Sequence, residues 1–198
     1  MSGLALGYPP VRLTAAEAVL YPAALEDADA LFDRVMAEVD WKQETLALFG
    51  RRIPQPRLSA WYGDAAYAYS GLHLDPRPWP PVLADLRRRC AEIAGAAFNS
   101  VLANLYRDGA DSMDWHADDE ASLGPAPVIA SISLGAPRRF QMRRKDKRGE
   151  AVCTELGNGD VLVMSGRCQA DWLHRVPKTK KPVGPRINLT FRNVVGPV

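Results

Sequence analysis

Seven short apolar or alternating segments, separated by turn-forming residues, constrain the fold of this chain more than any other feature. The predicted strands are Leu58 to Tyr62, Val101 to Arg107, Val128 to Leu134, Arg139 to Met142, Val161 to Met164, Trp172 to Val176 and Arg186 to Arg192. The 15 Gly and 16 Pro among 198 residues supply turns between them. Segments this short bury their apolar faces by pairing, which predicts a sandwich or jelly roll.

Two segments have the apolar spacing of helices. One runs from Leu25 to Val39, and the other runs from Pro81 to Ala97, with prolines at its start, where a missing N–H costs no hydrogen bond. Each is expected to pack one face on a sheet, so the fold class is α+β. With 47% hydrophobic and 24% charged residues, the composition is that of a globular protein, and we predict one domain over residues 1–198.

Charge and cysteine content exclude several classes of protein. The formal charge of +2 excludes a histone-like or polyacidic chain, although residues 138–192 hold 14 Lys and Arg against 5 Asp and Glu. Three cysteines without a CxxC pair argue against a disulfide framework and a zinc ribbon, and indicate a cytoplasmic location. We find no bilayer-spanning stretch and no export signal, and we expect a monomer that does not bind membranes.

The three histidines, His73, His116 and His174, leave few ways to build a metal site. His116 and Asp118 are two residues apart in WHADDE and therefore point to the same side of an extended segment. This pair alone is a weak signal. His174, in a predicted strand, would complete a set of two His and one carboxylate, which leaves three positions open on ferrous iron. A co-substrate and dioxygen require such open positions.

The segment RINLTFR alternates polar and apolar residues from Arg186 to Arg192. A period of two places Arg186, Asn188, Thr190 and Arg192 on one face of a strand. Two guanidinium groups inside a jelly roll are costly to bury unless anions pair with them, and a dicarboxylate co-substrate would supply two. The alternative is an edge strand whose arginines face water.

Taken together, NLYRDGADSMDWHADDE, SISLG, His174 and RINLTFR resemble the AlkB family of Fe(II)- and 2-oxoglutarate-dependent dioxygenases. The resemblance extends upstream through PRLSAWYGD and YSGL and covers roughly residues 48–192. It implies a double-stranded β-helix, or jelly roll, with flanking helices. On this basis residues 1–47 form an N-terminal extension with a helix, residues 48–80 a nucleotide-recognition lid, and residues 98–195 the catalytic jelly roll.

The resemblance also implies roles for individual residues, with Fe(II), 2-oxoglutarate and O2 as cofactors. The implied iron ligands are His116, Asp118 and His174. The implied 2-oxoglutarate contacts are Asn104, Tyr106, Arg186, Asn188, Thr190 and Arg192, with the first Arg on the distal carboxylate and the last on the end that chelates iron. The implied substrate contacts are Phe49, Gly50, Arg51, Arg57, Tyr67, Tyr69, Asp119 and Glu120.

The activity implied is oxidative demethylation of N-alkylated bases such as 1-methyladenine and 3-methylcytosine in DNA, with release of formaldehyde. In that case Phe49 would be a wedge that fills the gap left by a flipped base, and the basic segments 138–148 and 178–181 would contact phosphates. Three alternatives remain open: the same reaction on RNA, a dioxygenase that hydroxylates proteins or small molecules, and a binding module that has lost its metal. A solvated hairpin is the alternative for residues 138–148.

Overall fold

The computed structural model describes residues 8–13, 17–48, 51–69, 72–149 and 151–196. The helices are α1 (Ala28–Glu38), α2 (Pro81–Ala94) and the short α3 (Cys168–Asp171), with a 3-10 turn at Ala121–Leu123. The strands are β1 (Val11–Arg12), β2 (Ala18–Tyr21), β3 (Thr45–Leu48), β4 (Arg51–Pro54), β5 (Leu58–Gly63), β6 (Tyr67–Tyr69), β7 (Leu72–Leu74), β8 (Ser100–Tyr106), β9 (Met113–His116), β10 (Ile129–Gly135), β11 (Arg138–Arg144), β12 (Val152–Leu156), β13 (Val161–Met164), β14 (Trp172–Val176) and β15 (Arg186–Arg192).

Two antiparallel sheets form the body of the fold. The major sheet has the order β1-β2-β13-β10-β15-β8-β5, and the minor sheet has the order β12-β11-β14-β9. Two further hairpins are β3-β4 and β6-β7. The strands β4, β6 and β7 lie in the part of the chain predicted to be the lid, whereas β3 overlaps that part only at Leu48. The order of the major sheet requires several crossovers, as in a jelly roll, and confirms the predicted fold class.

The strand β15 divides two hydrophobic cores. Its residues Ile187, Leu189 and Phe191 are fully buried in the core that the major sheet shares with α1 and α2. A second core, which includes Leu102 and Phe140, fills the space between the two sheets. The polar residues of β15 therefore face the minor sheet, because successive side chains of a strand point to opposite faces.

Element boundaries follow the sequence closely where the apolar pattern is long. The strands at 161–164, 172–176 and 186–192 have the predicted bounds, and α2 begins at Pro81 as expected. The expectation that α2 reaches Ala97 is wrong, because Gly95 adopts a left-handed φ of 63° and ends the helix after Ala94. The sequence analysis missed eight strands of the described residues, each two to five residues long, which owe their strand form to pairing with neighbours: β1, β2, β3, β4, β6, β7, β9 and β12.

No helix in the described ranges is long and apolar enough to cross a bilayer.

Candidate active site

The three candidate iron ligands lie together between the sheets. His116 ends β9 and pairs in register with His174 of β14, so that the centroids of the two rings are 4.2 Å apart. Asp118 follows two residues later, with its Oδ2 atom 3.8 Å from His174 Nε2. Both Asp118 and His174 are buried. Strand register therefore brings together three residues that the sequence separates by up to 58 positions.

Burial and charge give these groups the protonation states that metal binding requires. Burial lowers the pKa of His174 to about 3, with a further contribution from His116, and burial also lowers the pKa of His116. Burial alone would raise the pKa of Asp118, but the charges of Arg192 and the two histidines outweigh it and lower the value to about 2. At neutral pH the site therefore offers two neutral imidazoles and one carboxylate, which are the forms that bind metals.

Hydrogen bonds orient two of the candidate ligands. His116 Nδ1 lies 2.8 Å from the carbonyl oxygen of Asp114. Because a carbonyl only accepts, Nδ1 carries the proton and Nε2 is the nitrogen left for a metal. Arg192 Nη2 donates to Asp118 Oδ1 at 2.5 Å, and the Asp118 backbone N–H donates to Gln169 Oε1 at 2.9 Å.

The donor set fits ferrous iron, although it is not closed around an ion. As they stand, no three or more His, Cys, Asp or Glu side chains in the described segments are spaced to hold a metal. Arg192 bonds Asp118 Oδ1, which leaves Oδ2, on the side of His174, as the oxygen that faces the other candidate ligands. The chemistry of the set, two imidazoles and a carboxylate on one side of a cavity, is that of the facial triad.

A cavity extends from these residues along the polar face of β15. The side chains that line it come from both sheets: Leu102, Asn104, Tyr106, Met113, His116, Asp118, Ser131, Phe140, Leu156, Met164, His174, Arg175, Val176, Arg186, Asn188, Thr190 and Arg192. All six residues predicted to contact 2-oxoglutarate are among them, as are the three predicted iron ligands. The alternative of an edge strand with solvated arginines is wrong, since β15 lies between β10 and β8 and both arginines are buried.

Arg186 stands at the end of the cavity away from Asp118. Its Nη2 atom donates to Ser133 Oγ at 2.8 Å, while Nε and Nη1 are buried with no hydrogen-bond partner among the described residues. Burial lowers the pKa of this guanidinium, and the nearby Tyr106 partly offsets the effect. An anion in the cavity could accept hydrogen bonds from the Nε and Nη1 atoms of this buried cation.

Hydrogen bonds between side chains fix the polar groups that lie between Arg186 and Arg192. Asn188 Nδ2 donates to Ser131 Oγ at 2.7 Å, and Thr190 Oγ1 donates to Asn188 Oδ1 at 3.1 Å. Across the sheet, Arg57 Nε donates to Asn104 Oδ1 at 2.7 Å. These contacts fix the amide orientations along the wall of the cavity.

A family model described as the 2OG-Fe(II) oxygenase superfamily matches residues 15–192 of this chain. The chain belongs to this superfamily. Its description names the metal and the co-substrate that the motifs predicted, Fe(II) and 2-oxoglutarate.

Among curated proteins, the chain is similar to AlkB homologues. It is 48% identical to alpha-ketoglutarate-dependent dioxygenase alkB homolog 3 of Bos taurus over 179 residues, which cover 86% of this chain and 63% of that protein. The human homolog 3 is 46% identical over 186 residues, which cover 88% and 65%. The mouse protein DNA oxidative demethylase ALKBH2 is 42% identical over 181 residues, which cover 85% and 76%. The predicted resemblance to the AlkB family is thereby confirmed.

The similarity has limits in the length covered and in the structural comparison. The chain spans slightly less than two thirds of the length of the homolog 3 proteins. A solved structure of OsALKBH1 superposes with a TM-score of 0.67 at 17% identity and covers 92% of this chain and 100% of that one. At that identity the likeness concerns the fold alone.

The residues predicted to contact an AlkB-type substrate have varied surroundings. Arg57 is buried and bonds with Asn104. Its charge contributes to the lowered pKa of His116, which places it near that candidate ligand. Asp119 is exposed and pairs with Lys145 Nζ at 2.7 Å. Glu120 is half-buried at the start of the 3-10 turn.

The predicted lid is only partly described. Arg51 begins β4, and Tyr67 and Tyr69 begin and end β6. Phe49 and Gly50 lie outside the described residues. Contacts of all these residues with a substrate stay predictions.

One member of the basic segment 138–148 does not face solvent. Arg138 is 3% exposed and donates to the backbone carbonyls of Asp108, Asp111 and Pro177 at 2.8 to 3.0 Å. The expectation that Arg138 contacts phosphate is wrong, because its guanidinium is used to bond the loop that holds Asp108 and Asp111 to the loop that begins at Pro177. Arg139 is exposed, and its contact with phosphate stays a prediction.

Sequence reasoning missed several polar groups that support the site. Ser131 and Ser133 alternate in SISLG, and a period of two could have placed them on the cavity face of β10. Gln169 carries no such signal, because its short helix α3 was not predicted. Its contact with Asp118 joins residues 51 positions apart.

Proposed function

We propose that this protein is an Fe(II)- and 2-oxoglutarate-dependent dioxygenase that demethylates N-alkylated bases in DNA. Dioxygen would be the oxidant: one of its oxygen atoms would enter the methyl group of a base of the 1-methyladenine or 3-methylcytosine type, and the other would enter the succinate formed with CO2 from 2-oxoglutarate. The hydroxylated methyl group would then leave as formaldehyde. One observation carries the proposal. A single buried cavity holds two histidines, a carboxylate and, at its far end, an arginine with donors to spare.

His116, Asp118 and His174 would hold the metal, with His116 bound through Nε2 because Nδ1 faces the Asp114 carbonyl. Iron would activate dioxygen, the oxidant, and 2-oxoglutarate would supply two electrons. The task of the protein is therefore to bind and orient the co-substrate and the base and to exclude water. Arg192 keeps Asp118 ionised through a direct contact of 2.5 Å. The low pKa of His174 keeps its imidazole neutral and available.

The co-substrate would lie along β15. Arg186 would bind the distal carboxylate through its unsatisfied nitrogens, and Arg192 would lie beside the end that chelates iron. Tyr106, Asn104, Asn188 and Thr190 would line the space between the two carboxylates.

The substrate would be a base flipped out of the nucleic acid and held by the lid, residues 48–80. Tyr67, Tyr69 and Arg57 would contact it, and Asp119 and Glu120 would favour the positive charge that alkylation places on the base. Phe49, followed by Gly50 and Arg51, would fill the gap in the stack. The domain limits, the monomeric state and the cytoplasmic location stay predictions.

The names of the similar proteins favour nucleic acid over proteins or small molecules, since the mouse relative is named a DNA oxidative demethylase. The test is formaldehyde release from methylated oligonucleotides offered as single-stranded DNA, duplex DNA and RNA, each with and without 2-oxoglutarate. We expect co-substrate-dependent release from DNA. Release from RNA alone would favour the RNA alternative, and release from none of the three would contradict nucleic-acid demethylation.

The role of Phe49 is tested by Phe49→Ala on one methylated oligonucleotide with and without its complement, at fixed salt. We expect nearly unchanged turnover of the single strand. Duplex turnover should fall by an amount that reflects the few kcal/mol needed to extrude a base. Equal losses on both substrates would indicate a packing role, and no loss on either would remove Phe49 from the mechanism.

A further inference from the structure

Asp118 lies where the minor sheet stops pairing. The strands β9 and β14 pair at His116 and His174 and again at Met113 and Val176, with an irregular register between. The chain leaves β9 after His116, and Asp118 lies beyond its end with 1% of the residue exposed. A buried backbone N–H without an acceptor is destabilising, so the N–H of Asp118 needs a partner from outside the strand ladder.

Gln169 supplies that acceptor. Its Oε1 atom accepts from the Asp118 N–H at 2.9 Å, and its Nε2 atom lies 3.5 Å from Met164 Sδ, a weak acceptor. The residue is 1% exposed. Because a backbone N–H can only donate, the amide oxygen has to face it, which determines the orientation of the amide.

The place of Gln169 in the chain links two candidate ligands. It lies in α3 (Cys168–Asp171), and β14, which carries His174, begins at the next residue, Trp172. The hydrogen bond therefore ties the segment that carries Asp118 to the element that leads into His174.

We infer that Gln169 is a positioning residue of the iron site, whose amide oxygen holds the Asp118 backbone so that the carboxylate faces His116 and His174. The inference rests on the proposed function, in which these three residues bind Fe(II). Partners that orient metal ligands typically change metal affinity about 10- to 100-fold when removed. Gln169 is not a catalytic residue, since it acts through Asp118.

Two substitutions separate positioning from packing. Gln169→Met keeps the length and approximate shape of the side chain and removes the acceptor. Gln169→Glu keeps an acceptor oxygen in either protonation state and introduces an acidic group that is costly to bury. A matched control is Gln43→Met, because Gln43 is exposed and its amide donates to the Gln55 carbonyl, whereas Gln169 accepts from a candidate ligand.

The readout is the affinity of the full chain for Mn(II), a redox-stable substitute for Fe(II), titrated without nucleic acid. We expect Gln169→Met to weaken binding about 10- to 100-fold, and Gln169→Glu and Gln43→Met to stay within a few-fold of the wild type. The concentration of 2-oxoglutarate needed for half-maximal turnover should change little in Gln169→Met, because the Arg186 end is untouched. A packing role predicts the reverse, with Met tolerated and Glu impaired, and would overturn the inference.

A measurement on the unmodified protein covers the case in which the variants do not fold. The amide hydrogen of Asp118 should exchange with solvent slowly, as expected of a buried hydrogen bond, and exchange at the rate of an exposed amide would overturn the inference. If the wild type binds no Mn(II), the iron site of the proposed function fails. If it binds Mn(II) but turns over no methylated nucleic acid, the substrate assignment fails and the role of Gln169 stands.

Discussion

Arg186 and Arg192 begin and end the same strand and are both buried, yet their surroundings differ. Arg192 Nη2 contacts the carboxylate of Asp118 at 2.5 Å. Arg186 donates from Nη2 to a neutral hydroxyl, Ser133 Oγ. Its Nε and Nη1 atoms have no hydrogen-bond partner among the described residues. The iron end of the cavity, which we define by the three candidate ligands, therefore has an ion pair within the protein, whereas at the far end two Arg186 nitrogens lack an acceptor among the described residues. A buried cation without a partner costs stability, which a dicarboxylate ligand can restore.

The largest expected effect is at the iron end. His116→Ala or Asp118→Ala should reduce turnover below detection, since each removes one ligand of a three-ligand site. Iron content should fall with activity, while circular dichroism should show that the fold is retained. Wild-type turnover in either variant would show that the substituted residue is not an iron ligand. The comparison between the two ends of the cavity would then lose its basis.

Removing each arginine should affect stability differently. Arg192→Met should lower the free energy of unfolding by about 3–5 kcal/mol, because it leaves the Asp118 carboxylate buried without its partner. Arg186→Met should leave the free energy unchanged or raise it, because it removes a buried guanidinium of which two nitrogens have no hydrogen-bond acceptor among the described residues. The measurement is denaturant unfolding without 2-oxoglutarate, and equal losses would show that the two ends are equivalent.

The same Arg186→Met variant should bind the co-substrate more weakly. It should need about 10- to 100-fold more 2-oxoglutarate, as expected from a charge-assisted contact of about 1.5–3 kcal/mol. DNA affinity should barely change. Arg88→Met is the matched control, since Arg88 is exposed on α2 and lies outside the basic segments predicted to contact phosphates. If DNA binding fell and co-substrate dependence did not, β15 would face nucleic acid and the assignment of the cavity would be wrong.

The smallest expected effect is a pH dependence that arises at the iron end. In metal-free protein, His174 has a pKa of about 3, so between pH 6.5 and 3 the unfolded chain binds a proton that the folded protein does not. Stability should therefore fall with falling pH, by about 1 kcal/mol between pH 6.5 and 5.5 for this one group. Denaturant unfolding with chelator should show a shallower pH slope in His174→Asn than in the wild type. Equal slopes would contradict a neutral buried imidazole.

Much of the site could be predicted because its residues follow local periods. The alternation in RINLTFR identified the polar face of β15, and the spacing of His116 and Asp118 identified a pair that faces one way. The apolar spacing of α1 and α2 likewise identified the faces that pack on the major sheet. Prediction was weaker for β9 and β12, since four or five residues carry too little pattern to be distinguished from a loop.

The amino-acid sequence by itself determined which residues share a face of each long element, because the period of a strand or helix is a property of the local backbone. Only the tertiary structure decided which groups meet. Arg138, one of seven basic residues in its segment, is buried and donates hydrogen bonds to three backbone carbonyls. Gln169 accepts a hydrogen bond from the backbone of Asp118, which is 51 residues away in the sequence. Such partners depend on strand register and on how the two sheets face each other. Those arrangements result from burying the whole core and cannot be obtained from the spacing within any one segment.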